Sequence, residues 1–176
     1  MTSALEMQHI RKYFPSSRVL ACDDVNLEVQ KGEVHAIVGE NGAGKTTLMS
    51  ILYGLVIPDQ GQILINSVPA RIAHPHDAIR LGIGMVHQHF KLVPSFTIAE
   101  NIMLGIEPNR AGFIDGGAEA ENVRRLAESF GLPVNPDLRI RDVSVGMQQR
   151  VEILKILQRN AQILILDEPT AVLTPQ

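Results

Sequence analysis

Eight consecutive residues have the composition and the spacing of a loop that binds the phosphates of a nucleotide. They are Gly39, Glu40, Asn41, Gly42, Ala43, Gly44, Lys45 and Thr46, and they match G-x-x-x-x-G-K-[ST] throughout. Glycines allow backbone N–H groups to surround a phosphate, and the N-terminus of a following helix adds positive potential. The pattern predicts that Lys45 reaches the β- and γ-phosphates of ATP, that the Thr46 hydroxyl binds Mg²⁺, and that Thr47 completes the nucleotide contacts.

A run of four aliphatic residues, 163–166, is followed by two carboxylates, Asp167 and Glu168. A purely aliphatic run of this length predicts a strand that is buried on both faces. Acidic residues often end strands, so the pair alone is ambiguous, but with the phosphate loop upstream it indicates the acidic part of an ATP-hydrolysing site. Asp167 is then expected to hold Mg²⁺, and Glu168 to orient or deprotonate the attacking water.

The segments around these motifs alternate between short apolar runs and amphipathic stretches, which predicts an α/β fold. Strands are predicted near residues 25–29, 34–38, 62–65, 83–86 and 163–166, and helices at 46–53, from 97, through 123–130 and from 144 to about 159. Thr97 and Glu100 have capping-box spacing. Gly131 has the position of a helix C′ residue, and Ser144 can cap the last helix. Gly116-Gly117 is expected in a loop.

The composition excludes several classes of protein. The 176 residues carry a formal net charge of −3, which provides no basic footprint for nucleic acid. The single cysteine, Cys22, rules out an intramolecular disulfide and fits a reducing compartment. The N-terminus has no apolar core of a signal peptide, and no window approaches the ~20 apolar residues that cross a bilayer. We therefore expect a soluble, cytoplasmic chain that associates with a membrane only through a partner.

Residues 143–150, Val-Ser-Val-Gly-Met-Gln-Gln-Arg, resemble the signature motif of ABC ATPases, usually written L-S-G-G-Q and followed by Q-Q-R. Ser144 lies 23 residues ahead of the first of the two carboxylates, as in that family. The resemblance implies that Ser144, Gly146 and the N-terminal amides of their helix contact a γ-phosphate bound by the opposite subunit. Val145 and Met147 depart from the motif at its first glycine and at its glutamine.

Further positions match the same family by their order along the chain. Gln88 resembles the Q-loop glutamine, which implies contact with Mg²⁺ and the attacking water at the hinge to a helical subdomain. Phe14, or Tyr13 beside it, resembles the A-loop aromatic that stacks on adenine, and the Phe-Pro context favours Phe14. Residues 171–174 occupy the D-loop position, where Thr174 replaces the usual aspartate.

The resemblance covers nearly the whole chain and implies an α/β fold of the P-loop NTPase class. It implies one ABC ATPase domain over residues 1–176, with an antiparallel β subdomain and a helical subdomain inserted at about 89–158. The domain is expected to be C-terminally incomplete and to lack a strand between 34–38 and 163–166, so that residues 1–176 alone do not turn over ATP. Stretches such as Ala-Glu-Asn-Ile at 99–102 are similar to the first ATPase half of bacterial simple-sugar and nucleoside importers.

These implications define the expected function, which is the binding and hydrolysis of MgATP to power solute import. The expected partners are transmembrane permease subunits, a second ABC ATPase domain and, indirectly, a solute-binding protein, at the cytoplasmic face of the plasma membrane. The alternatives are an ABC ATPase without a permease and a nucleotide-binding regulator that does not hydrolyse. Glu168 disfavours the regulator, and the lack of basic or coiled-coil insertions disfavours an ATPase that acts on nucleic acid.

Overall fold

The computed structural model describes residues 3–87, 90–110 and 113–167, and the chain forms two units that divide between Ile83 and Gly84. The first unit is built on a sheet of four antiparallel strands in the order β2-β1-β3-β4. The strands are β1 Ser3–Phe14, β2 Val19–Gln30, β3 Gln60–Ile65 and β4 Val68–Ala70.

Alternation of apolar and polar side chains directs one face of this sheet into the core. In the central strand β1, Leu5 and Met7 are buried in alternate positions, and Ile10 is buried beyond a register shift that follows Met7. Met7 lies opposite Leu27 of β2 and Ile63 of β3, so the three neighbouring strands contribute to one apolar layer. The half-buried pattern predicted for 25–29 is confirmed in β2.

Residues 33–40, which lead into the phosphate loop, have no regular secondary structure. The strand predicted at 34–38 is therefore wrong, and Val34 and Val38 are 98% and 91% exposed. A strand persists where a neighbour takes up its backbone N–H and C=O groups. In the described part of the chain no strand pairs with 34–38, so this apolar run lies in solvent.

Two helices complete the first unit. Helix α1, Lys45–Leu52, buries Leu48, Ile51 and Leu52, and it confirms the helix predicted at 46–53. Helix α2, Pro75–Arg80, has proline in its first turn, where a missing N–H is no loss. Strand β5, Ile83–Val86, has the predicted bounds, and its residues from Gly84 on belong to the second unit.

The second unit is mainly helical. Its elements are α3 Ile98–Met103, a hairpin of β6 Asn109–Arg110 and β7 Phe113–Ile114, α4 Gly116–Ser129, a short 3₁₀ helix Ile140–Asp142, α5 Val145–Leu157 and β8 Ile163–Leu166. The α-helices share an apolar core whose most deeply buried members are Ile98, Ile102, Val123, Val151 and Leu154. Among the described residues, no helix is long and apolar enough to cross a membrane.

Strand β8 pairs with β5 in a sheet of two strands. The bounds of β8 agree with the prediction, but the predicted burial on both of its faces is wrong. Leu164 and Leu166 are 39% and 45% exposed, whereas Ile165 between them is buried. Alternate burial means that one face of β8 is covered. On β5, a Cβ at Gly84 would lie 2.0 Å from Cγ2 of Ile156, so glycine lets α5 pack closely on this strand.

The helix ends follow the sequence signals. Thr97 Oγ1 accepts the Glu100 N–H at 3.1 Å, and the Glu100 carboxylate accepts the Thr97 N–H at 2.6 Å, which confirms the capping box. Gly131 follows the C-cap of α4 with a φ of 63°, as predicted. These ends depend on residues three to four positions apart and are therefore readable without tertiary information.

The start of α4 differs from expectation. Gly116 and Gly117 form its first turn and do not lie in a loop. The reason is Asp115, whose carboxylate accepts the Ala118 N–H at 3.0 Å and so begins the helix ahead of both glycines.

Candidate nucleotide-binding site

The phosphate loop ends at the N-terminus of α1, where backbone donors are available. Gly44 is the N-cap, and no side chain caps the helix. The first intrahelical bond runs from the Leu48 N–H to the Gly44 carbonyl at 2.9 Å. The N–H groups of Lys45, Thr46 and Thr47 precede it and have no partner within the helix. Such a terminus combines free donors with the positive end of the helix dipole and favours an anion.

A close approach to β2 requires glycine at position 44. Gly44 has a φ of 89°, and a Cβ there would lie 2.1 Å from the carbonyl oxygen of Ala21. Gly42 also has a positive φ, 85°, but the space beside it is open. Gly44 thus lets the loop turn into α1 while it touches the backbone of β2.

The side chain of Lys45 folds back over the loop. Its Nζ donates to the carbonyl oxygens of Gly39 at 2.6 Å and Glu40 at 2.9 Å. The Ala43 N–H donates to the Glu40 carbonyl at 3.2 Å, which closes a turn in the loop. An ammonium has three donors, so these two bonds hold its charge at the loop and leave one donor for a ligand.

The predicted loop residues divide into exposed and half-buried positions. Gly39, Glu40, Asn41, Gly42, Ala43 and Thr46 are exposed, and Gly44, Lys45 and Thr47 are half-buried. Most of the loop and Thr46 are therefore open to solvent, while Leu48 anchors the helix behind it in the core.

Phe14 is the last residue of β1 and lies opposite Val19 of β2. Its ring is half-buried, whereas Tyr13 is 42% exposed. The Lys12 ammonium lies 5.6 Å from the centroid of the Phe14 ring, within the range of a cation–π contact. Sequence reasoning singled out Phe14 but missed Lys12.

The acidic motif begins at the end of β8. The Asp167 N–H donates to the Val86 carbonyl at 3.1 Å, which ties Asp167 to the end of β5. Partial burial lowers the pKa of His87, Lys91 lowers it further, and the Asp167 carboxylate opposes the shift. Asp167 is thus near enough to His87 to act on its charge. Glu168 and Gln88 lie outside the described residues.

Side chains hold the backbone of residues 91–93, just beyond Gln88. The carboxylate of Glu152 accepts the Lys91 N–H at 2.5 Å, and the Lys155 ammonium donates to the Lys91 carbonyl at 3.0 Å. Asn101, fully buried, does the same for Val93: it accepts the N–H at 2.7 Å and donates to the carbonyl at 3.1 Å. Helices α3 and α5 therefore fix the backbone of Lys91 and Val93.

The signature-like motif forms the start of α5. Ser144 is exposed, and its Oγ accepts the Met147 N–H at 3.3 Å, which confirms its predicted role as N-cap. A Cβ at Gly146 would meet no atom within 4 Å, so no contact among the described residues demands glycine there. Val145, which replaces a glycine of the motif, is 43% exposed. Ser144 and Gly146 belong to the second unit, as does Asp167, whereas the phosphate loop belongs to the first.

Known proteins resemble this chain over most of its length. The family described as ABC transporter matches residues 22–171. The guanosine import ATP-binding protein NupO of Bacillus subtilis is 53% identical over 175 residues, which cover 99% of this chain and 34% of that protein. The ribose import ATP-binding protein RbsA 1 of Rubrobacter xylanophilus is 48% identical over 174 residues, again 99% and 34%. The chain thus spans about a third of the length of these relatives.

Solved structures extend the similarity to the fold. The crystal structure of the ADP conformation of MJ1267, an ATP-binding cassette of an ABC transporter, matches with a TM-score of 0.83 and 26% identity. The match covers 99% of this chain and 72% of that one. The α/β ABC ATPase fold and the family resemblance inferred from the sequence are confirmed. The chain belongs to the ABC transporter family, among its ATP-binding domains.

Proposed function

We propose that the chain binds and hydrolyses MgATP to drive the import of a simple sugar or a nucleoside. The observation that carries this proposal is the phosphate loop, where the uncapped N-terminus of α1 and the Lys45 ammonium present donors at one exposed turn. This pattern of donors suits the phosphates of a nucleoside triphosphate. The relatives named for guanosine import and ribose import, NupO and RbsA 1, support the solute class.

The side chains assigned to Mg²⁺ have suitable chemistry. Thr46 is an exposed residue with a hydroxyl at the start of α1, and Asp167 has a carboxylate at the end of β8. Hydroxyl, carboxylate and amide oxygens, the last of these from Gln88, are hard ligands of the kind that Mg²⁺ prefers. The ion, when bound, neutralises charge on the β- and γ-phosphates.

The remaining roles follow the family motifs. Glu168 accepts a proton from the attacking water or orients it, and Gln88 senses that water. Residues 39–47 surround the phosphates, and Phe14 stacks on adenine. Ser144 and Gly146 lie at the exposed start of α5, where they would contact the γ-phosphate of an opposing domain.

This function requires partners. We propose transmembrane permease subunits, a second ABC ATPase domain that completes the site and, indirectly, a solute-binding protein. The chain would then act at the cytoplasmic face of the plasma membrane, bound through the permease. Residues from about 89 to 158 would form the helical subdomain inserted in a single ATPase domain, which the helical content of the second unit supports.

The test is nucleotide binding by Lys45→Ala, measured by titration calorimetry with MgATP. Loss of a charged hydrogen-bond donor to phosphate should weaken binding at least about tenfold. Lys31→Ala is the matched control, because Lys31 is an exposed lysine of the same unit in the turn after β2. Unchanged ATP affinity in Lys45→Ala would refute the assignment of the loop.

A further inference from the structure

The carboxylate of Asp59 holds the end of β1 next to Phe14. One oxygen accepts from the Lys12 ammonium at 2.9 Å, and the other accepts from the Tyr13 N–H at 2.7 Å. The Asp59 N–H in turn donates to the Arg11 carbonyl at 2.8 Å. The bond from Tyr13 lowers the pKa of Asp59, and Lys12 lowers it further, so the carboxylate is ionised at neutral pH.

These bonds take the place of backbone pairing beyond the point where the pairing of β1 with β3 ends. Strand β3 pairs with β1 as far as Gln60, which lies opposite Arg11. Beyond that point β1 continues to Phe14 with β2 on its other side, where Phe14 lies opposite Val19. The carboxylate of Asp59, the residue before β3, takes up the Tyr13 N–H that a longer strand would have paired.

Lys12 connects this anchor to the aromatic ring. Its side chain is only 16% exposed, and its Nζ lies 2.9 Å from a carboxylate oxygen of Asp59 and 5.6 Å from the centroid of the Phe14 ring. A cation at this distance is attracted to the ring face. A held ammonium therefore lies over one face of the Phe14 ring.

We propose that Lys12 and Asp59 are positioning residues that hold the ring of Phe14 ready to stack on the base of a nucleotide. A ring that is fixed in advance loses less freedom on binding, so base-dependent affinity rises. The pair affects the contact with the base, whereas residues 39–47 contact the phosphates. This inference rests on the proposed nucleotide site and adds two residues to it.

The experiment compares MgATP with tripolyphosphate, which offers phosphates without a base, in calorimetric titrations of the full chain. We expect Lys12→Met to weaken ATP binding about two- to tenfold and to leave tripolyphosphate binding unchanged. Lys12→Arg keeps a cation over the ring and should restore ATP affinity. Arg11→Met is the control, because it removes a charge from the adjacent residue, which pairs with Asp23 at 3.7 Å.

Each other outcome overturns the inference. An ATP affinity of Lys12→Met equal to that of the wild type would show that stacking on the Phe14 ring does not depend on the cation. An equal loss for ATP and tripolyphosphate would show that Lys12 acts on the phosphates or on folding. A loss of ATP affinity of the same size in Arg11→Met would show that the effect of Lys12→Met comes only from the change in net charge. Failure of the wild-type chain to bind either ligand would refute the proposed function itself, and this inference with it.

Discussion

Gly44→Ala tests whether the contact between the phosphate loop and β2 is as tight as the structure shows. The substitution places a Cβ 2.1 Å from the Ala21 carbonyl oxygen on a residue whose φ is 89°. Two costs follow, one from the backbone conformation and one from the collision. Gly42→Ala is the matched control, because its φ is 85° and a Cβ there would meet nothing within 4 Å.

The two costs have separate magnitudes. A left-handed conformation costs a residue with a Cβ about 1–2 kcal/mol, and both variants incur this term. An overpacked contact that forces the backbone to move costs about 1–3 kcal/mol more, and only Gly44→Ala incurs it. Alanine also restricts the unfolded chain, by about 0.4–1 kcal/mol, but equally in both variants. The free energy of unfolding should therefore be lower in Gly44→Ala than in Gly42→Ala by about 1–3 kcal/mol.

Thermal unfolding followed by circular dichroism measures the difference. In a domain of this size 1 kcal/mol shifts the Tm by about 2–4 °C, so Gly44→Ala should melt several degrees below Gly42→Ala. MgATP titration of both variants is the second readout, and the displaced start of α1 should weaken binding more in Gly44→Ala. Equal Tm values for the two variants would refute the reasoning, since the contact with Ala21 would then cost nothing.

Three further predictions concern single carboxylates. In the intact protein, Glu168→Gln should bind ATP normally and lose phosphate release at this site, because an amide cannot accept a proton. Glu152→Ala should lower the free energy of unfolding by about 1–3 kcal/mol, because it leaves the Lys91 N–H without its acceptor. Burial and nearby carboxylates raise the pKa of Glu119, so Glu119→Gln should raise the Tm at pH 7, with a gain that shrinks as the pH falls towards 4.5.

Controls distinguish these effects from general damage. Glu168→Gln must be measured with any second ATPase site inactivated, and turnover at the wild-type rate would then contradict the role of Glu168. Glu128→Ala, an exposed position on α4, is the control for Glu152→Ala, and equal stabilities would contradict the anchoring of Lys91. The Glu119 prediction has a definite sign. The pKa of Glu119 is raised in the folded state, so ionisation of its carboxyl lowers the stability of the fold as the pH rises. A gain in Tm from Glu119→Gln that grew as the pH fell would contradict the prediction.

Local rules let the sequence alone specify much of this chain. The helix at 46–53, the capping box of Thr97 and Glu100 and the Ser144 cap were all predicted, because each depends on residues within a few positions of one another. The bounds of β5 and β8 were also predicted, since a short apolar run between polar residues defines them. Family motifs added the fold, which the matched structures confirm.

Only the tertiary structure decided what depends on partners distant in sequence. The run 34–38 is apolar enough for a strand, but among the described residues no neighbour pairs with it, and it lies in solvent. Lys12 meets Asp59 across 47 positions, and Lys91 meets Glu152 across 61. No periodicity or spacing encodes such contacts, because they exist only once separate elements have packed and brought a charged side chain to an opposite charge or to an unpaired backbone group.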